Sequence, residues 1–311
     1  MFRRMLVPLD GSELAEVALP YAEKLAGKLG AEITLIHVRE PADSQYHHMH
    51  QFYIDRMTEL TRQGAESYLD MPKEGAISVN SLMRVGHPAE HIVEYAEKED
   101  IDLIVMATHG WSGIRRWVLG GVAEKVLRAT SRPVALIRAK GARPDVREGS
   151  LLDKVLVPLD GSGGGEAMVP YVEGLASRLG AEVVLLHVVP PAAPVYAIPG
   201  QTLQFPHTQA DVEIAKAGAE AYLEGVGARL KDKGIAVATV VRVGNVADEV
   251  IKATDEMSAD LVAMSSHGMS GAGRWAFGST ADKVLRAGST PVLLARSSGA
   301  STERHDAGPG D

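Results

Sequence analysis

A glycine-rich stretch that occurs twice in the sequence has the residue types and spacing of an anion site. One copy has Ser-Ser-His-Gly at 265–268, nine further residues, and Gly-Ser-Thr at 278–280; the other has Ala-Thr-His-Gly at 107–110, nine residues, and Gly-Gly at 120–121. Glycine lets a backbone approach an anion closely, and a helix that begins after it offers free N–H groups to a phosphate. The stretch predicts a phosphate site; the alternative is a strand-to-helix turn without a ligand.

Polar side chains within the two stretches favour the first interpretation. Arg116 and Arg274 can offset phosphate charge, and Ser279 and Thr280 add hydroxyl donors. A second candidate is an acid, Asp10 or Asp160, that follows the first apolar run of each copy and can accept a hydrogen bond from an adenine amine or a ribose hydroxyl. The alternative for each acid is an Asp-Gly turn in which the side chain bonds its own backbone.

The histidines near these stretches have two interpretations each. His109 and His267 precede a loop glycine, where they can touch a phosphate or a ribose hydroxyl, or simply pack within the turn. His37 and His187 end predicted strands and are expected to be core or supporting residues.

Three further histidines, His47, His48 and His50, cluster in a long connection. Such tracts can bind zinc or copper. No carboxylate stands at ligand spacing, and the second copy has only His207 in that region, so a mobile polar loop without metal is the expectation.

No catalytic motif is visible in this sequence. It contains no Gly-x-x-x-x-Gly-Lys-Ser/Thr stretch, no serine nucleophile elbow, and no general base or metal-holding acids of the kind that phosphoryl transfer requires. We therefore predict no catalytic residues.

Composition excludes several classes of protein. The net charge of −8 argues against a nucleic-acid binder, and the absence of cysteine removes disulfides and Cys-ligated metals. No uninterrupted apolar run approaches about eighteen residues, which argues against a membrane span. No apolar segment with a cleavage site follows Met1, so a cytoplasmic location is expected.

Duplication extends over the whole chain and sets the domain count. Val-Pro-Leu-Asp-Gly-Ser occurs at 7–12 and again at 157–162, an offset of 150, and the offset grows to 158 beyond the middle of each copy. The extra eight residues are expected in the proline-rich stretch 190–206. The prediction is a first unit at 1–140, a linker at 141–150, a second unit at 151–297 and a disordered tail at 298–311.

Each unit alternates strands and helices, in the order βαβαβαβαβ. In the first unit, strands are predicted at 5–9, 32–38, 77–85, 102–107 and 134–137, and helices at about 51–69, 88–99 and 117–129. The helix after the first strand should begin at the N-cap Ser12, break near Pro20 and stop at Gly30. The fold class is α/β: two tandem Rossmann-like domains, each an open five-stranded parallel sheet with helices on both faces. Ligands of such sheets lie at the carboxyl ends of the strands, near a switch point.

These motifs together resemble the universal stress protein family, twice in one chain. The resemblance rests on the repeated Val-Pro-Leu-Asp-Gly-Ser, the His-Val pairs 37–38 and 187–188, and the Gly-x₂-Gly-x₉-Gly-Ser/Thr pattern of the family's ATP-binding branch. It departs from that pattern in two places: Ala107 and Ser265 replace the first glycine, and Gly121 replaces the hydroxyl residue of the first unit.

The resemblance implies an ATP site in each unit, in which the Asp and Val border the adenosine and the glycines and the hydroxyl hold the ribose and phosphates. In the second unit the site residues are Asp160, Val188, Gly268, Gly278 and Ser279. In the first unit they are Asp10, Val38, Gly110 and Gly120. The missing hydroxyl makes the first site the weaker one.

The implied function is a stress-response sensor or regulator that binds ATP, with Mg²⁺ as a possible companion ion, and acts on an unknown protein partner. The last strands at 134–137 and 292–295 are expected to pair, either within one chain as a pseudo-dimer or between chains as a homodimer. Two alternatives remain: a nucleotide-free dimerising scaffold, and a slow Mg²⁺-dependent ATPase.

Overall fold

The computed structural model describes residues 2–40, 46–69, 76–109, 119–138, 151–192, 208–266 and 278–296. The first unit contains the strands β1 (Arg4–Leu9), β2 (Glu32–Arg39), β3 (Val79–Val85), β4 (Leu103–Ala107) and β5 (Val134–Ile137). Its helices are α1 (Glu13–Glu16), α2 (Leu19–Leu29), α3 (His47–Glu66), α4 (Pro88–Lys98) and α5 (Gly121–Ala129).

The second unit repeats this order. Its strands are β6 (Lys154–Pro158), β7 (Glu182–Val189), β8 (Val237–Val243), β9 (Leu261–Ser265) and β10 (Val292–Ala295). Its helices are α6 (Gly163–Glu166), α7 (Val169–Leu179), α8 (Gln209–Lys231), α9 (Val246–Glu256) and α10 (Ser279–Ala287). The predicted α/β fold with helices on both faces of parallel strands is confirmed.

Local signals explain the segment between β1 and β2. Ser12 caps α1, because its side chain accepts a hydrogen bond from the Ala15 amide at 3.2 Å. The helix then breaks before Leu19, where Pro20 occupies the first turn of α2 and needs no amide partner. Gly30 ends α2 in the left-handed conformation, at φ 65°. All three predicted signals are confirmed, and the second unit repeats them.

The strands alternate their side chains between two buried layers. Met5, Val7 and Leu9 of β1 belong to one hydrophobic cluster, and Leu6 belongs to the cluster on the opposite face. Because both faces are covered by helices, a near-continuous apolar run is what this sheet requires.

All ten described strands form one sheet in the order β3-β2-β1-β4-β5-β10-β9-β6-β7-β8. Within each unit the pairing is parallel. The units join where β5 and β10 pair antiparallel, with Ala135 opposite Leu293 and Leu136 opposite Val292. We call this β5–β10 junction the seam. The last strands of the two units therefore pair within the chain.

Two local predictions are wrong. The last helix of the first unit was expected from residue 117, but it begins at Gly121, because Gly120 is extended (ψ 145°) and donates its amide to the Thr108 carbonyl at 2.8 Å. The tract His47, His48 and His50 was expected in a loop; it forms the first turn of α3. The predicted linker and tail, and most of the predicted insertion, lie outside the described residues.

Candidate functional site

The strand order reverses beside β6 in the second unit and beside β1 in the first. From β6 the chain passes to β7 on one side and later to β9 on the other. The β6–β9 ladder contains only two residue pairs and ends at Leu156 opposite Val262, whereas β6 stays paired with β7 as far as Pro158. The first unit shows the same short ladder, which ends at Leu6 opposite Ile104. Each unit therefore has a switch point where two strands part toward their carboxyl ends, as ligand-binding crevices of this fold require.

The predicted acids stand at these crevices. Asp160 follows β6 and is half-buried; Asp10 follows β1 and is exposed. One carboxylate oxygen of Asp160 accepts hydrogen bonds from the Ser162 amide at 3.0 Å and from its hydroxyl at 2.6 Å, and Asp10 makes the same two bonds with Ser12. Both acids therefore hold the turn that caps the following short helix, which is the alternative that the sequence left open for them.

The other side of each crevice is the start of a helix. Gly278 donates its amide to the Ser266 carbonyl at 2.9 Å, which joins the two ends of the glycine-rich stretch. Gly120 is clasped to Thr108 in the same way, and a Cβ at Gly120 would lie 2.8 Å from that carbonyl. Close backbone approach thus requires glycine at position 120. Sequence reasoning missed this clasp, since nothing in the residue types identifies the carbonyl that the glycine contacts.

The helices α5 and α10 begin without help from a capping side chain. Their N-cap residues, Gly120 and Gly278, have nearly identical backbones, with ψ of 145° and 146°. The first N–H groups of such a helix lack intrahelical acceptors and carry the positive end of the helix dipole. Ser279 is exposed at the first position of α10, while a Cβ at Gly121 would project into open space. Both helix starts are chemically suited to an anion, and only the second also presents a hydroxyl.

The predicted valines lie on the neighbouring strand. Val188 in β7 is buried and Val38 in β2 is half-buried. Each pairs with an arginine of the outer strand, Val188 with Arg242 and Val38 with Arg84. They stand one strand away from the acids, on the side of the crevice opposite the glycine-rich stretch.

His37 is a core residue, as expected. It is 2% exposed; its Nδ1 lies 2.8 Å from the Leu9 carbonyl and its Nε2 lies 2.8 Å from Nδ1 of His50. Burial lowers the pKa of His37, the Leu9 carbonyl opposes this, and the neighbouring His50 lowers the pKa further. His187 at the matching position also has a pKa lowered by burial.

A half-buried polar pair next to His37 was missed by sequence reasoning. The Tyr53 hydroxyl donates to the Glu16 carboxylate at 3.1 Å, and the rings of Tyr53 and His37 lie 5.8 Å apart. Burial and then the Glu16 charge raise the pKa of Tyr53. Residues 37 positions apart in sequence give no signal of such a contact.

Metal binding by the histidine tract gains no support. His47 and His48 lie ring to ring at 5.9 Å, while His50 turns toward His37. Among the described residues, no group of three or more His, Asp or Glu side chains is arranged to hold a metal ion.

Part of the predicted site falls outside the residues that the structure describes. His109 is placed, with its Nδ1 3.1 Å from the Thr108 hydroxyl. The site positions that lie outside the described ranges are Gly110, Arg116, His267, Gly268 and Arg274. Within those ranges, no helix combines the length and apolar character needed to cross a bilayer.

Comparison with known proteins places this arrangement in a family. The model of the universal stress protein family matches residues 1–138 and 152–296. A universal stress protein of Mycobacterium tuberculosis is 30% identical over 223 residues, which are 71% of this chain and 70% of that protein. One from Methanocaldococcus jannaschii is 30% identical over 145 residues, which are 44% of this chain and 83% of that protein.

A solved structure shows the same fold over nearly the whole chain. The crystal structure of a universal stress protein from Archaeoglobus fulgidus aligns with a TM-score of 0.67 and 22% identity. The alignment covers 95% of this chain and 97% of that one.

Proposed function

Because this chain belongs to the universal stress protein family, we propose that it binds an adenine nucleotide, ATP, and acts as a sensor or regulator in the stress response. The main site is in the second unit, with Asp160 and Val188 beside the adenosine and Gly268, Gly278 and Ser279 around the ribose and phosphates.

The observation that carries this proposal is the crevice beside β6. Its β6–β9 ladder ends at Leu156, so the two strands separate before the turn that Asp160 stabilises. Across the crevice, α10 begins at Gly278 without a side-chain cap, which leaves its first N–H groups for an anion. An acid on one side and an anion-binding helix start on the other match the two ends of a nucleotide.

The first unit offers a weaker version of the same site. Asp10, Val38, Gly110 and Gly120 occupy the matching positions, but the first residue of its last helix is Gly121. A phosphate there has the backbone N–H groups and lacks the hydroxyl. Mg²⁺ is expected to accompany ATP at either site through the phosphate oxygens.

A scaffold without nucleotide is the second candidate, and the seam favours it. The two units pair through β5 and β10 within one chain, so backbone hydrogen bonds and buried side chains join the two halves. In this alternative the glycines serve only the turn, as the close approach of Gly120 to Thr108 would allow.

Mass spectrometry of nucleotide released from freshly purified protein tests the proposal. Gly278→Asp places a carboxylate where the phosphates would lie, and Gly225→Asp is the matched control, since Gly225 is exposed on α8 with nothing within 4 Å of an added Cβ. We expect ATP or ADP from the wild type and from the control, and none from Gly278→Asp.

Weak binding would escape that measurement, so a thermal titration decides it. At a ligand concentration about a hundred times Kd, binding stabilises the native state by about 2.7 kcal/mol. If millimolar Mg-ATP leaves the melting temperature of the wild type unchanged, the nucleotide proposal is overturned and the scaffold is favoured.

A further inference from the structure

A second feature lies between the two units, away from the crevice of the second unit. It is a cavity of about 220 Å³ at the amino ends of β9 and β10, whereas Asp160 and Gly278 stand at the carboxyl ends of the second unit's strands. We call it the interdomain cavity. The lining residues used below are Tyr21, Leu151, Asp255, Ser258, Thr290 and Pro291.

The matching place in the first unit is occupied by an arginine side chain. Arg132 Nε lies 3.1 Å from one oxygen of Glu97, and its Nη2 lies 3.2 Å from the Asp100 carboxylate. Ser131 holds the other Glu97 oxygen through its amide at 3.1 Å and its hydroxyl at 2.8 Å. In the first unit, a guanidinium site formed by Glu97 and Asp100 is thus occupied by the side chain of Arg132.

The second unit keeps the same backbone but has lost the cation. At the offset of 158, three residues of the second unit correspond to this group: Asp255 corresponds to Glu97, Ser258 to Asp100, and Thr290 to Arg132. The loop has the same shape, because Asp100 and Ser258 both take the left-handed conformation, at φ 49° and 53°. Replacing Arg132 by the short Thr290 leaves open the space that the guanidinium fills in the first unit.

Two carboxylates line this space, and they differ in their partners among the described residues. Asp260, also in the cavity wall, holds the amides of Asp153 and Lys154 at 3.2 and 3.1 Å, as Asp102 holds the corresponding amides in the first unit. Asp255 has no hydrogen-bond or ion-pair partner for its side chain within the described residues, so it is the acid that the cavity offers to a ligand.

We propose that the interdomain cavity binds a small organic cation: a guanidinium or primary ammonium group on a short alkyl chain. The Asp255 carboxylate would pair with the cation, as Glu97 pairs with Arg132, and the hydroxyls of Ser258 and Thr290 accept its remaining N–H groups. Tyr21, Leu151 and Pro291, three residues with largely apolar side chains, line the same cavity and suit the alkyl chain. Because Tyr21 belongs to the first unit, the ligand would contact both units.

Calorimetric titration with a matched pair of probes tests this inference. Butylguanidinium and butylurea have the same shape and differ in charge. Wild-type protein is expected to bind butylguanidinium with saturable heat and to bind butylurea at least about tenfold more weakly. Absence of saturable heat with butylguanidinium at up to about 10 mM would overturn the proposal.

Three variants locate the binding. Asp255→Asn removes the charge and should weaken butylguanidinium binding at least about tenfold. Thr290→Arg supplies the side chain that fills the first unit and should abolish binding. Glu224→Gln, on the exposed face of α8, makes the same charge change elsewhere and should bind like the wild type.

The variants also separate a site from diffuse attraction. Unchanged binding in both Asp255→Asn and Thr290→Arg, or an equal loss in Glu224→Gln, overturns the proposal. If Thr290→Arg does not fold, as circular dichroism would reveal, Asp255→Asn alone decides, since it preserves the size of the side chain.

Discussion

The two units differ in the short helix that follows the turn after their first strands. In the first unit α1 reads Glu-Leu-Ala-Glu, and in the second α6 reads Gly-Gly-Gly-Glu, yet both are four-residue helices capped by the same Asp-Ser pair. Each glycine within a helix costs up to about 1 kcal/mol relative to alanine. The capping bonds therefore maintain the shape in α6, while the sequence of α1 supports it intrinsically. The segment beside Asp160 should rearrange more easily than the segment beside Asp10.

The same contrast appears at the last helices. Backbone angles at Gly120 and Gly278 agree within 2°. The residues that follow differ, because Gly121 and Val122 stand where the second unit has Ser279 and Thr280. Duplication has kept the backbone while side chains at the crevices and the interdomain cavity diverged. The units share one scaffold and differ in what they offer to ligands.

The largest expected effect is on stability, and it tests whether the two units pack against each other symmetrically at the seam. Ala135 and Leu293 are equivalent positions that face each other across it, and both are buried. Leu293→Ala should lower the free energy of unfolding by about 3 kcal/mol, because it leaves a cavity in the core. Urea denaturation measures this.

A double variant sharpens the seam test. Ala135→Leu with Leu293→Ala moves the large side chain to the other unit and conserves volume, so it should recover more than half of the loss. No recovery would mean that the two halves do not pack symmetrically at the seam.

Next in size is the effect of the Ser279 hydroxyl, which distinguishes the two proposed nucleotide sites. Ser279→Gly should weaken ATP binding about tenfold, since a hydrogen bond to a charged oxygen contributes about 1.5 kcal/mol. Gly121→Ser should strengthen the first site, because its side chain enters open space. Calorimetry with Mg-ATP reports both. Identical affinities in all three proteins would remove the proposed reason for ranking the second site first.

The pH dependence should differ between the units as well. Burial, with help from His50, holds the pKa of His37 below its ordinary value of 6.5. The unfolded chain therefore binds a proton at this histidine more tightly than the folded chain does. The contribution of neutral His37 to the free energy of unfolding is fully present above pH 6.5 and is lost as the pH falls through the pKa of the folded state.

Replacing each histidine separates the two contributions. His37→Asn should lose less stability than the wild type when the pH is lowered from about 7.5 to about 5.5. His187→Asn should show a smaller difference, since no histidine partner adds to its lowered pKa. Equal pH profiles for all three proteins, measured by thermal unfolding, would contradict the assignment.

The smallest effect concerns α6. Gly163→Ala should stabilise the protein by about 0.5 kcal/mol, because an added Cβ has nothing within 4 Å and the unfolded chain loses freedom. Gly161→Ala, two residues earlier, should destabilise it, since Gly161 sits at φ 80°. A melting-temperature shift of the same sign for both would show that the turn is not held as described.

Periodicity and turn residues predicted most of the fold. Gly30, Ser12 and Pro20 act locally, and each has the predicted effect because its cause lies within a few residues of its consequence. The start of α5 could not be predicted in the same way. It depends on the Gly120 amide reaching a carbonyl twelve residues earlier, and sequence does not show which carbonyl comes near.

For the candidate site, the sequence indicated a place in the fold to consider but not the bonds within it. The Asp-Gly-Ser turns and the glycine pattern indicated which ends of which strands to consider. The bonds from Ser162 to Asp160 span two residues and were one of the two alternatives that the sequence left open. The pairing of Arg132 with Glu97, across 35 positions, depends on tertiary placement. For the same reason the interdomain cavity became visible only when both units were in place.

The antiparallel seam has a consequence for molecules that bind this protein. Each half-sheet is parallel, so joining them antiparallel points the carboxyl ends of β1 and of β6 toward opposite sides of the molecule. A partner that docks over one crevice leaves the other uncovered. Partners can therefore approach the chain from two directions at once, and the two proposed nucleotide sites can be recognised separately.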